Sequence, residues 1–227
     1  MKTVQSKSNS KSTRGDPRSA ETKAGLIEAA VELFGLYGYD STSTRAIAAF
    51  AGTALSAIPY HFKTKKALFL AAAESIADAI SVRLGPVLDA FEDEIYSDNL
   101  TRKRAISLLT EVFAPFAMML ANEESEKWAR FTLREQATPS EAFNILFASD
   151  IGRFFNVVCH LTAIATNDVP SSPKSKVRGM TLIGQALAFR AARALSLKMM
   201  EKDKFSASDL TIISATIKEN IRLFEYV

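Results

Sequence analysis

Residues 44–68 read TRAIAAFAGTALSAIPYHFKTKKAL, and this stretch decides the fold. Its residue types match two short helices joined by a tight turn. Ile47 and Ala48 sit on the first helix, Gly52 supplies the turn, and Ile58 and Phe62 return to the core. Ala48 is small enough for a second helix to cross close above it. Gly52 can take the positive φ that a tight inter-helix turn needs. Ile58 and Phe62 are four residues apart, so they share one helical face. Leu55, Ser56, Pro59 and Tyr60 are the short or flat groups left to enter a major groove. His61, Lys63, Lys65 and Lys66 follow and suit phosphates.

A glycine-turned helix pair also arises as plain packing, so its surroundings matter. Residues 22–37 have the pattern of an amphipathic helix, with Leu26, Ala30, Leu33 and Tyr37 in one row and Ile27 and Phe34 beside it. Gly38 fits the position just past that helix. Thr42 or Ser43 then caps the next helix, which places Thr44 and Arg45 in its first turn.

The run ETKAGLIEAAVELFGLYGYDSTSTRAIAAFAGTALSAIPYHFKTKKALF resembles the N-terminal domain of TetR-family transcriptional regulators. The likeness extends from about Thr22 to Phe69. It includes the F–GYD–TSTR–IA–AG spacing, the Tyr60-His61-Phe62 triplet and the Lys65–Leu68 pair. Residues 128–147 and 180–200 are similar to the C-terminal domain of the CecR-like branch. Pro59 departs from that branch, where a polar residue, often Asn, is common.

The 227 residues suffice for one large or two small domains and a substantial core. Net charge is +3 but unevenly placed: residues 1–66 carry ten Lys/Arg and five Asp/Glu, which leaves −2 for the remainder. The basic excess falls where a DNA-facing unit needs it. Cys159 is the single cysteine, in the apolar run FFNVVCHLTAIA, so no intramolecular disulfide forms and a packed thiol is expected. No apolar stretch follows the basic start, so no secretory signal is expected; the longest apolar runs, such as 112–121, fall short of the roughly 18 residues a membrane span needs, and a cytoplasmic location is expected.

The reading is an all-α chain of about nine helices. Residues 1–19 form a disordered basic tail, 20–66 a three-helix bundle with the helix-turn-helix, and 67–227 a larger helical ligand-binding and dimerisation domain. The tail, with Lys2, Lys7, Lys11, Arg14 and Arg18 against Asp16, is expected to add DNA affinity without specificity. A fourth helix starts at Lys65 and either stops near Gly85 and Pro86 or continues to about Ile95. A fifth covers 100–121 with Pro115 inside, Asn122 caps a sixth, and a seventh follows Ser140 and runs to about Ala165. Loop residues 166–176 precede two apolar helices, 177–200 and 208–225, the last capped by Ser206 or Ser208.

Enzyme signatures are poor. His61 and His160 are the only histidines, no Cys/His cluster has ligand spacing, and no Gly-rich phosphate loop or G-x-S-x-G occurs. No catalytic residue, metal site or cofactor is therefore expected. The TetR resemblance implies a homodimer on a palindromic double-stranded operator, repression, and release by a small molecule. On that basis the DNA contacts are Thr44, Arg45, Leu55, Ser56, Ala57, Pro59, Tyr60, His61, Lys63 and Lys65. The effector, a largely apolar molecule with a small polar handle, is expected among Phe116, Met118, Trp128, Phe131, Arg134, Phe147, His160 and Gln185. The small residues Gly184, Ala186, Ala188, Ala191, Ala192 and Ala194 suit a helix that approaches another closely, in the subunit or across a twofold. Leu182, Leu187, Phe189, Leu195, Ile212, Ile213, Ile217, Ile221 and Phe224 are the apolar candidates for that dimer face. The rival reading is a helical small-molecule-binding protein or enzyme whose helix-turn-helix is structural only.

Overall fold

The computed structural model describes residues 17–121 and 125–226, and within them every regular element is helical. The Lys2-to-Asp16 part of the tail and the Asn122 cap lie outside the described residues. Eleven α-helices are present among the described residues. The first, α1 (Pro17–Ser41), starts inside the segment expected to be tail and is interrupted at Gly38, where φ is 82°. Leu26, Ala30, Leu33 and Phe34 are buried along it, whereas Tyr37 is 59% exposed and leaves the expected row.

Ser43 caps α2 (Thr44–Phe50), its hydroxyl accepting from the Ala46 amide at 3.1 Å. Thr42, the other candidate cap, is buried and donates to the Gly38 carbonyl at 2.7 Å instead. Gly52 has φ 63°, the left-handed turn expected of it, and leads into α3 (Ala57–Phe62). Ile47, Ala48, Ile58 and Phe62 close the bundle core.

α4 (Lys65–Ile95) is continuous through Pro86. Proline removes one backbone donor. The carbonyl four residues back belongs to Val82, which is 74% exposed, so water can take the missing place. At ~1.5 Å rise per residue, 31 residues span about 46 Å, so α4 runs from the helix-turn-helix into the larger helical body. It packs on α1, on α5 (Arg102–Ala121), on α7 (Glu141–Phe147) and on α8 (Asp150–Ala165). α6 (Glu126–Ala137) packs mainly on α1.

The stretch expected to be one seventh helix is two, bent by 57°. Ser149 caps α8. A Cβ on Gly152 would meet the Phe147 carbonyl oxygen at 1.9 Å, so only glycine permits this corner. No single described helix is long and apolar enough to cross a membrane. The bent pair reaches that length only together, with Phe154, Val157, Val158 and Leu161 in the core.

The last expected pair is also subdivided, into α9 (Pro173–Ala191), α10 (Arg193–Met199) and α11 (Ala207–Arg222). Ser206 caps α11 with a reciprocal bond to Asp209. Leu182, Ile217 and Ile221, expected at a dimer face, are buried in the chain's own core.

Candidate nucleic-acid interface and effector cavity

Burying Ile58 and Phe62 turns the opposite side of α3 outward. Tyr60 is 78% exposed and Leu55 45%, and Ser56, Pro59 and Lys63 are exposed as well. Ser56 makes no capping bond, so its hydroxyl is not spent on the helix. Ala57 and His61 are half-buried, and the His61 ring lies edge-on to Tyr60 at 4.8 Å. From α2, Arg45 is exposed and Thr44 half-buried.

Two lysines at the start of α4 differ. Lys65 holds its ammonium 4.3 Å from the Tyr39 ring centre, which fixes a cation beside the helix N-terminus without neutralising it. Lys66, expected to suit phosphates, instead pairs with Glu141 of α7 at 2.5 Å. This arrangement offers an exposed aromatic, a hydroxyl and several cations within one short stretch, the chemistry of groove and phosphate contact.

A cavity of about 80 Å³ lies in the larger helical body. Its walls are Phe116, Met119 and Leu120 of α5, Trp128, Thr132, Leu133 and Gln136 of α6, Phe143, Leu146 and Phe147 of α7, Ile151 and Phe155 of α8, and Leu187 and Arg190 of α9. Of the residues expected to meet an effector, Phe116, Trp128 and Phe147 line this space. Met118 points to solvent, 56% exposed. Phe131 is buried but packs on Phe69, with ring centres 5.1 Å apart. His160 bonds the Ile95 carbonyl through Nε2 at 3.1 Å and lies tilted against the Tyr96 ring, centres 5.0 Å apart, and burial pushes its pKa below the ordinary value. The Gln185 side-chain oxygen accepts from Asn220 at 2.9 Å.

Arg134 is the most consequential difference. It leaves the cavity and donates to the Leu36 carbonyl at 2.8 Å, at the end of α1. Its neighbours on the same face do likewise. Lys127 pairs with Glu28 at 2.9 Å and Arg130 with Glu32 at 2.6 Å. The Glu28 carboxylate bonded to Lys127 raises that ammonium above its ordinary value. Gly35 lets the helices approach: a Cβ there would meet the Lys127 carbonyl oxygen and Phe131 amide at 3.3 Å.

Helical geometry explains the division. Residues 127, 130, 131 and 134 fall on one side of α6, whereas 128, 129, 132, 133 and 136 fall on the other. One face of α6 therefore grips α1 and the opposite face is a cavity wall.

The polar groups at the cavity are Ser125, Thr132, Gln136 and Arg190. Arg190 was missed by sequence reasoning, although a signal existed. It continues the buried row of Ile183 and Ala186 at helical spacing, an arginine in core register. Among the described residues no group of His, Cys, Asp and Glu could hold a metal.

Residues 98–224 match the model of the family described as HTH-type transcriptional dual regulator CecR, C-terminal domain. Residues 26–72 match bacterial regulatory proteins, tetR family. The chain is 28% identical over 206 residues to the HTH-type transcriptional dual regulator CecR of Shigella flexneri, covering 91% of this chain and 92% of that one. Among solved structures, it is similar to FadR from Bacillus subtilis in complex with stearoyl-CoA (TM-score 0.54, 18% identity, 87% of this chain and 96% of that one). It is also similar to the fatty acid degradation regulator FadR from Bacillus halodurans (TM-score 0.54, 14% identity, 92% and 96%). At those identities the two structures speak for the fold.

Proposed function

The chain belongs to the TetR family of ligand-responsive, DNA-binding transcription regulators, with a CecR-type C-terminal domain, and we propose that it is a homodimeric repressor released from a palindromic operator by a largely apolar effector. The observation that carries the release step is the two-faced α6. An effector pocket usually measures roughly 300–1,000 Å³. The cavity holds about 80 Å³, so an effector of ordinary size must move its walls. The α6 wall is bonded through its other face to α1, and moving it moves the bundle that presents Tyr60 and Lys63. The division into a reading unit (about 20–66) and an effector and dimer unit (67–227) suits this transmission.

In a dimer, two α3 helices must fit successive major grooves, roughly 34–36 Å apart. An effector that binds better to a state with another spacing lowers DNA affinity by that difference. The stearoyl-CoA in the Bacillus subtilis structure is a precedent for a long apolar body, which the aromatic walls here also suit.

For the dimer, the solvent-facing row Val177, Met180, Gly184, Ala188, Ala191 and Leu195 supports a self-complementary face on α9 and α10. A Cβ on Gly184 meets no atom of its own chain within 4 Å. Sequencing DNA fragments selected by the purified protein tests the reading. The expected product is an inverted repeat with half-sites one turn apart. Recovery of fragments with no shared sequence overturns it. A promoter reporter fixes the sign, since a repressor's removal raises expression.

A further inference from the structure

The first turn of α4 carries Lys65 and Lys66 and no acid. Cations are disfavoured at the positive end of a helix, so an anion from elsewhere is favoured beside them. For Lys66 that anion is Glu141, in the first turn of α7, 2.5 Å from the ammonium. Lys65, one residue earlier, rests on the Tyr39 ring.

The Lys66–Glu141 pair is weakly held. Its two side chains are 57% and 62% exposed, and it borders an open groove between α1, α4, α6 and α7. Salt screens such a pair, and its two long side chains lose entropy in forming it. Neither neighbouring structure depends on it. Ser140 caps α7 through the Ala142 amide, and Thr64 caps α4 through the Ala67 amide. Nor does Glu141 serve the cavity, because Phe143, Leu146 and Phe147, which line it, fall on the opposite side of α7.

We propose that Lys66 is a further phosphate ligand in the DNA complex, held by Glu141 in the free protein and exchanged for a backbone phosphate when the duplex docks. A duplex is the stronger competitor, since each phosphate contact releases a condensed counterion. The flexible four-carbon stem of lysine lets the ammonium change partners without moving α4. The exchange rests on the DNA-binding reading. It also frees the start of α7 from α4 on the DNA, and so links DNA occupancy to a helix that walls the cavity.

The test uses the full-length protein, the selected operator and a random duplex of equal length, titrated over about 50 to 200 mM salt. Lys66→Ala should make the slope of log affinity against log salt shallower by about one on both duplexes, and Lys66→Arg should keep it. Glu141→Gln should bind both duplexes about two- to fivefold tighter, because no pair has to be broken. Made in Lys66→Ala protein, the same change should alter affinity by less than about 1.5-fold. An unchanged slope in Lys66→Ala overturns the inference and leaves the DNA-binding reading standing. Glu141→Gln giving no gain, or the same gain in both backgrounds, overturns the exchange, the latter by showing that Glu141 acts through overall charge. If wild-type protein binds neither duplex in a salt-dependent way, the DNA-binding reading and this inference fall together.

Discussion

The Arg130 guanidinium joins two helices, meeting Glu32 of α1 at 2.6 Å through Nη2 and Glu126 of its own helix at 2.7 Å through Nη1. One side chain thereby ties the cavity wall to the helix that supports the helix-turn-helix. Its side chain is 30% exposed and that of Glu32 15%, so the pair is screened only in part.

Arg130→Ala should uncouple effector from DNA more than it destabilises the fold. The stability loss should be about 1 kcal/mol, as for a partly exposed pair. The ratio of DNA affinities without and with effector should shrink about fivefold, the lower end of common coupling energies. Glu126→Ala removes the pair within α6 but leaves the Arg130–Glu32 bridge between the helices, so it should keep the ratio. DNA titrations with and without effector measure both. Equal ratios in wild type and Arg130→Ala would rule out this route.

Tyr60 and Lys65 should differ in how they fail. Tyr60 is 78% exposed, so Tyr60→Ala should leave thermal stability within about 0.5 kcal/mol while weakening the selected operator most. Lys65→Ala should weaken all duplexes and reduce the slope of log affinity against log salt by about one. A salt series on operator and random DNA separates them. An undiminished slope in Lys65→Ala would remove it from the phosphate contacts.

Two substitutions in the last helices should give opposite kinds of defect. Ala188 is exposed on the α9 row, so Ala188→Arg should yield folded monomers with weak operator binding. Ile217 is 3% exposed, so Ile217→Asp should cost about 4 kcal/mol or more by burying a charge, and unfold the subunit itself. Sedimentation and circular dichroism distinguish a folded monomer from an unfolded chain. A folded Ala188→Arg dimer would move the interface elsewhere.

Asp209 should give the fold a signature in acid. A hydrogen bond from Lys202, then those from Ser206, lower its pKa from 3.8 to about 2. Folding therefore favours the charged form. The contribution is complete above about pH 4 and is lost as pH falls through about 2. Asp209→Asn should lower the melting temperature at pH 6, and the deficit should shrink steadily toward pH 2. A deficit that stays constant with pH would mean that packing, not charge, explains the residue.

Much is legible in the sequence because the signals are local. Gly52 has the positive φ its place in the turn demanded, and Ser43 caps the helix that follows. Ile58 and Phe62 share a buried face because a helix repeats every 3.6 residues, which the sequence alone encodes. Composition and spacing were enough for an all-helical chain with a basic N-terminal third. They were less informative at helix breaks. Gly152, in the first turn of α8, lets that helix start close against the end of α7, because the Phe147 carbonyl leaves no room for a side chain.

The cavity was decided by the tertiary structure. Phe116, Phe131 and Phe154 are equivalent as apolar side chains at helical spacing, yet Phe116 borders the space, while Phe131 packs on Phe69 and Phe154 fills the core. Arg134 and Arg190 are likewise two arginines on amphipathic helices. The rotation of α6 sends Arg134 to the α1 carbonyls, and the rotation of α9 sends Arg190 to the cavity wall. Periodicity states which residues share a face of one helix. Which neighbour that face meets depends on how the helices pack, and that is settled by long-range contacts that no window of sequence contains.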